Sequence, residues 1–162
     1  MLLQLGCELA QGFGIAHPML AQEIPAWVLS WRPDPAWSEL HAVNRDDLPL
    51  LFAGVEHHAW IAAFEAFLKG KRISLPPDHH QCSFGAWLKT DGRLRHGPKP
   101  AFIAIESLHS KLHVLADELL ELWTAGQSPA AEARLGEIHD LWACLLGRLN
   151  AMAKDGSRKL AP

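Results

Sequence analysis

The chain has 162 residues and a formal net charge of −3 at pH 7, so neither a nucleic acid nor an anionic membrane is indicated as a partner. Apolar residues make up 49% of it, enough for the core of one domain, but no apolar run approaches the roughly 18 residues that a membrane-spanning helix needs. Three cysteines, an odd number, do not indicate a disulfide framework, so we expect a reduced, cytoplasmic setting.

The first 44 residues are predicted to form a small appendage and a linker. An edge strand is expected around Gly12 to Ala16. Three prolines separated by polar residues indicate the linker that leads into a longer helix: Pro33, Pro35 and Pro49.

The first long helix is predicted to follow this linker and to end at Gly70. We place one stripe of its residues toward the core, and an adjacent apolar face extends that stripe. The stripe contains Leu51, Val55, His58 and Ala62, and the adjacent face contains Ile61, Phe64 and Leu68. A loop through Pro76, Pro77 and Asp78 then leads to a short helical segment over residues 82–88.

Two further long helices are predicted from apolar residues spaced by three and four. One begins near Pro98 and Pro100 and ends at Gly126, with a stripe of Phe102, Ile105, His109, Leu112, Ala116, Leu119 and Trp123. The other opens with Ser128 as its N-cap and Pro129 as its first residue. Its stripe is Leu135, Ile138, Trp142, Leu145, Leu149 and Met152, and the tail after it is expected to fray. The predicted fold is therefore mostly α, an antiparallel bundle of three long helices and one short one, with a small N-terminal strand and helix.

Four side chains from separate parts of this bundle have the chemistry of a zinc site. His109 and His113 are spaced i, i+4 and so lie on one helix face, where both rings can reach one ion. His58 and Cys82 complete three imidazoles and one thiolate, a full tetrahedral shell for Zn²⁺. Other histidines compete for the ion, and periodicity does not exclude them: His57, His79, His80 and His96.

Three short motifs at these positions resemble the chemoreceptor zinc-binding domain family. They are His58-Ala59-Trp60, Cys82 to Trp87 with Gly85 at its centre, and His109 to His113. The resemblance covers about residues 45–153. It implies one zinc held by His58, Cys82, His109 and His113, in a cytoplasmic sensory or regulatory module that is often homodimeric. It also implies attachment to chemoreceptors or to enzymes of cyclic di-GMP metabolism, and a response to zinc availability or to oxidants at the cysteine.

The stretch from Leu5 to Met19 is similar to the end of an EAL domain, the cyclic di-GMP phosphodiesterase, and residues 21–31 resemble the helix that follows. The catalytic motifs of that family lie upstream of this stretch, and His17 stands where the family usually has arginine. We therefore expect no enzyme activity from this chain.

These resemblances predict three regions and a function. Residues 1–36 are expected to be the remnant of an EAL domain, with a linker to about residue 44, residues 45–155 the zinc-binding bundle, and residues 156–162 a tail. The chain is then the C-terminal part of a larger cyclic di-GMP signalling protein. A purely structural zinc bundle and an inactive phosphodiesterase fragment are the alternatives.

Overall fold

Helices make up most of the computed structural model, which describes residues 3–5, 7, 11–38, 42–74, 76 and 82–158. The bundle contains six of the helices in these ranges: α3 (Leu48–Leu68), α4 (Ser83–Lys89), α5 (Asp91–His96), α6 (Pro100–Thr124), α7 (Ser128–Ala133) and α8 (Leu135–Arg158). α6 packs along α8, and α8 packs along α3, so these three long helices surround the core. The prediction of a mostly α-helical bundle is confirmed.

The N-terminal part contains two short helices, and a turn takes the place of the expected strand. α1 spans Ile24–Ser30, within the range predicted to be helical, and α2 spans Pro35–Ser38. The expected edge strand is instead a turn, in which the N–H groups of Ile15 and Ala16 both donate to the Gly12 carbonyl. A strand needs a neighbour to pair its backbone groups, and no strand lies within the described ranges, so local hydrogen bonds satisfy them.

The predicted stripes of α6 and α8 form the centre of the core. All of these side chains are buried except Trp123, which is half-buried. Phe102, Ile105 and Leu119 of α6 are fully buried, as are Ile138 and Leu145 of α8. Each large apolar side chain of this kind stabilises the fold by about 1.5–3 kcal/mol relative to exposure.

The predicted core face of α3 is wrong by about one residue. Val55, His58 and Ala62 are exposed. α3 carries apolar side chains on nearly all of its faces. Periodicity along this helix therefore does not identify which face is buried. The buried face consists of Leu50, Ala53, His57, Ile61, Phe64 and Leu68, which includes the three residues predicted for the adjacent face.

α3 and α6 end at the predicted glycines, whereas three other features of the helices differ from the prediction. Gly70 and Gly126 both adopt positive φ, at 66° and 78°, beyond the last turns of α3 and α6. The last predicted helix is divided in two, because Arg134 leaves the helical conformation between α7 and α8. Ser128 is the first residue of α7 and not its cap, and α5 was not predicted.

Among the described residues, none of the helices combines the length and the apolar character that crossing a bilayer requires.

Candidate metal centre

His57 is oriented by its own helix. It lies on the buried face of α3 and is only 3% exposed. Its Nδ1 lies 2.9 Å from the carbonyl oxygen of Ala53, one turn earlier. A carbonyl oxygen only accepts, so Nδ1 carries the proton and donates it. The lone pair of Nε2 is then free to point into the bundle, which is the arrangement that metal-binding histidines use.

Cys82 lies at the start of α4, where the chain turns into the bundle. The N–H of Gly85 lies 3.4 Å from the Cys82 sulfur, and the Ala86 N–H donates to the Cys82 carbonyl. Next to it, the Ser83 hydroxyl donates to Glu56 of α3 at 2.8 Å. This bond joins α4 to α3, so the thiol is held beside the helix that carries His57.

His109 and His113 lie one turn apart on the buried face of α6. Their exposed fractions are 8% and 6%, and their Nε2 atoms are 3.1 Å apart. The Nε2 atoms of the predicted i, i+4 pair are therefore brought to one point, while the planes of the two rings are 74° apart.

The four ligand atoms form one compact group in the centre of the bundle. The Cys82 sulfur lies 3.4 Å from Nε2 of His109 and 3.7 Å from Nε2 of His57. One ligand atom from each of His57, Cys82, His109 and His113 lies within 4.8 Å of all the others. Three separate segments therefore supply three imidazoles and one thiol to a single point.

These separations can be compared with what zinc requires. With Zn–N near 2.05 Å and Zn–S near 2.3 Å, a tetrahedron places its nitrogens about 3.3 Å apart and its nitrogen and sulfur about 3.6 Å apart. The nitrogen–nitrogen separation of 3.1 Å and the sulfur–nitrogen separations of 3.4 and 3.7 Å lie close to these values. The donor set and these three of its six separations therefore fit one tetrahedral zinc ion.

Burial changes the acid–base chemistry of two members of the group. Burial lowers the pKa of His57 below its ordinary value of 6.5, although the bond to Ala53 and the nearby Glu56 oppose this. Burial raises the pKa of the Cys82 thiol above 9.0, against the opposing N–H groups of Gly85 and Phe84. At pH 7 and without metal, the imidazole of His57 is neutral and the thiol of Cys82 is protonated.

Aromatic side chains pack against the histidines of the group. The ring of His57 stacks on Trp142 with centroids 5.9 Å apart and makes an edge-to-face contact with Phe84 at the same distance. Trp60 lies against His113 at 5.4 Å. Two aromatic residues of the predicted motifs, Trp60 and Phe84, thus pack around the site.

Gly85 lies close to the side chains of His109 and Cys82. A Cβ atom at this position would lie 3.1 Å from Cε1 of His109 and 3.8 Å from the Cys82 sulfur. Because the first distance is tighter than ordinary contact, a side chain at this position would press on the His109 ring.

The structure brings together three of the four predicted ligands and replaces the fourth. His58 is exposed, on a different face of α3 from the group, and His57 takes the place that was predicted for it. The group in the structure thus differs from the predicted set at this one position. The two histidines are neighbours, so a shift of one residue in the assumed core face of α3 accounts for the difference. The signal that was available is the run Leu50, Ala53, His57, Ile61 and Phe64, whose successive spacings are three and four.

Of the remaining competing histidines, His96 is the one that lies among the described residues, and it does not join the group. His96 is buried elsewhere, with Nε2 2.7 Å from the Asp47 carboxylate. His139 is exposed and lies 3.4 Å from Glu65. His79 and His80 lie outside the described residues. The other two cysteines, Cys7 and Cys144, are exposed and are not members of the group.

Comparison with known proteins agrees with the chemistry of the group. No curated protein and no solved structure shows significant similarity to the chain. The preceding EAL resemblance has no support from these comparisons. One family model does match, and its description together with the donor set identifies zinc as the ion for this site. Residues 57–120, which contain all four members of the group, match the model of the chemoreceptor zinc-binding domain.

Proposed function

We propose that the bundle is a zinc-dependent sensory module that holds one zinc ion with His57, Cys82, His109 and His113. The observation that carries this proposal is the mutual approach of four ligand atoms within 4.8 Å, from three segments of the chain. The family match over residues 57–120 supports the sensory role. His58, the ligand predicted from the sequence, is the competing assignment.

The four donors leave no open position for water in a tetrahedral shell. Zinc hydrolases keep three protein ligands and a water, whereas closed shells belong to structural and sensing sites. When bound, zinc would link α3, the start of α4 and α6. Gain or loss of this link is expected to change how these helices pack, and an attached domain can respond to such a change.

We infer further that the module belongs to a cyclic di-GMP signalling protein and responds to zinc or to oxidants. The support for the first part is the likeness of residues 5–31 to the end of an EAL domain. The support for the second is Cys82, because a thiolate bound to zinc remains a nucleophile that oxidants attack. Oxidation of this sulfur would remove a ligand and release the ion.

The ligand assignment is tested with two adjacent variants. His57→Ala should weaken zinc binding by more than about a hundredfold, the upper range for loss of a supporting residue around a metal. His58→Ala is the matched control and should leave the affinity unchanged. The measurement is metal analysis of the purified proteins, followed by a competition titration with a zinc chelator. The reverse result would restore the assignment of His58.

The rival function is a purely structural zinc. The same titration distinguishes a structural zinc from a sensory one if far-ultraviolet circular dichroism is recorded at each chelator concentration. A sensor is expected to lose its zinc reversibly and to stay helical. Irreversible unfolding on chelation would favour the structural role.

A further inference from the structure

A cleft leads from the surface to the group of four, between α4 and α6. Its volume is about 470 Å³. Ala86 and Ser110 stand on opposite walls, and both are exposed. Three of the four proposed ligands reach its inner end: Cys82, His109 and His113.

The fourth proposed ligand does not line this cleft. His57 is buried behind the other three, between the stacked ring of Trp142 and the edge of Phe84. Cys82 is the least buried of the four, and it lies at the inner end of the cleft. Among the described residues, aromatic side chains of α4 and α8 therefore pack against His57, and the group is approachable through the cleft between α4 and α6.

Gly85 keeps the inner end of the cleft open. It lines the cleft, and a methyl group on it would fall 3.1 Å from the His109 ring. Any other residue at this position would therefore fill the narrow space between the cleft and two of the proposed ligands.

The size and the charge of the cleft suit a hydrated divalent cation. Six waters occupy about 180 Å³, at about 30 Å³ each, which is well within the volume of the cleft. Glu106 and Asp117 line the α6 wall, one turn before His109 and one turn after His113. Glu106 also binds Arg93 at 2.9 Å, and Lys89 lines the α4 wall. The two carboxylates offset the two positive side chains, so the cleft does not repel a doubly charged cation.

We propose that the cleft between α4 and α6 is the route by which zinc enters and leaves the site, and by which small zinc-binding molecules reach the bound ion. This inference rests on the proposed zinc site and concerns its kinetics. Cys82, His109 and His113 are then the ligands that an incoming molecule meets first, and His57 is the last to be released.

The test uses the full chain loaded with zinc. The rate of zinc transfer to the chromogenic chelator pyridylazoresorcinol is measured at several chelator concentrations. Two variants obstruct the cleft from opposite walls, Ala86→Trp and Ser110→Trp. Each has a matched control at an exposed helical position that does not line the cleft, Ala59→Trp on α3 and Ser107→Trp on α6.

We expect the two cleft variants to release zinc at least about tenfold more slowly than the wild-type chain. Their equilibrium affinity should be unchanged, since no proposed ligand is altered. The two controls should match the wild-type rate, and the wild-type rate should rise with chelator concentration, as direct attack through the cleft requires.

The proposed route and the proposed zinc site can be refuted by different results. Equal release rates in all five proteins, with tight binding retained, would refute the cleft as the route and leave the zinc site intact. Absence of tight zinc binding in the wild-type chain would instead overturn the proposed function, and this inference with it. Two obstructing variants on different helices are used so that misfolding of one still leaves a decisive measurement.

Discussion

At the scale of single residues, the most instructive pair is His57 and His58. Successive residues of a helix are rotated by about 100°, so one of two neighbours can face the core while the other faces water. His57 is 3% exposed and its ring is oriented by the Ala53 carbonyl, whereas His58 is exposed. The ligand assignment therefore depends on which face of α3 is buried. Because the two histidines are adjacent, an error of one residue in the assumed face selects the wrong one.

Cys82 is the one thiol in a position to bind the ion. Cys82→Ala is expected to weaken zinc binding by more than about a hundredfold, because it removes the only anionic donor of the proposed shell. Cys7→Ala and Cys144→Ala are the controls and should bind like the wild-type chain, since both cysteines are exposed and lie outside the group. A competition titration with a chelator measures all three affinities, and tight binding by the Cys82 variant would contradict the assignment.

The acid–base state of the site predicts how zinc affinity depends on pH. Burial raises the pKa of Cys82 above 9.0, so binding at neutral pH must displace the thiol proton. Burial lowers the pKa of His57 below 6.5, so this ring is already neutral and releases no proton above that pH. Cys82 therefore makes the affinity rise with pH, by about tenfold per unit between pH 7 and pH 8.5. Competition titrations in this range test the slope, and a flat profile would show that no thiol proton is displaced.

At the scale of elements, α5 is held to the start of α3 by a buried pair of polar side chains. Asp47 precedes α3 and is 3% exposed, and His96 ends α5 and is 7% exposed. Nε2 of His96 donates to the Asp47 carboxylate at 2.7 Å, and Lys99 donates to its other nitrogen, also at 2.7 Å. This pair joins the end of α5 to the start of α3, and neither side chain is a member of the group that is proposed to bind zinc.

His96→Ala is expected to lower the free energy of unfolding by about 1–3 kcal/mol, because it leaves the buried Asp47 carboxylate without its closest partner. Urea unfolding followed by circular dichroism measures the change. His139→Ala is the matched control, because His139 is exposed and its pair with Glu65, at 3.4 Å, is in contact with solvent. Little change in the free energy of unfolding is expected for this variant. Equal losses in both variants would contradict the importance of the buried pair. Zinc affinity should be unaffected in either.

At the scale of the whole molecule, the N-terminal segment is not packed into the bundle. Among residues 11–38, those whose burial is described are all exposed or half-buried, and Phe13 and Leu29 are 71% and 77% exposed. Trp27 and Trp31 contact each other, with ring centroids 5.9 Å apart. Apolar area left in water forfeits about 1.5–3 kcal/mol for each large side chain that could be buried.

We therefore expect this segment to pair with the same segment of a second chain, since a symmetric contact would cover these side chains. Light scattering on the full chain and on a chain that begins at residue 38 measures the mass of each. The full chain is expected to be dimeric and the shortened chain monomeric. Equal masses would show that residues 1–37 do not hold the assembly together, and a dimer would then have to form through the bundle.

The sequence by itself determined the features that depend on local pattern. The stripes of α6 and α8 were predicted correctly because each helix has one apolar face and one polar face. The ends near Gly70 and Gly126 were predicted because positive φ favours glycine. The approach of Cys82, His109 and His113 followed from donor chemistry and from i, i+4 spacing.

Only the tertiary structure decided the features that depend on neighbours. α3 is apolar nearly all round, so its packing against α8 and α4, and not its own pattern, determines that His57 points inward and His58 outward. The break at Arg134 places a residue outside both helices, where it binds Glu118 and Glu137, and no local signal marks it. The turn at Gly12 replaces a strand because a strand requires a partner, and whether one is present is a property of the fold and not of the segment.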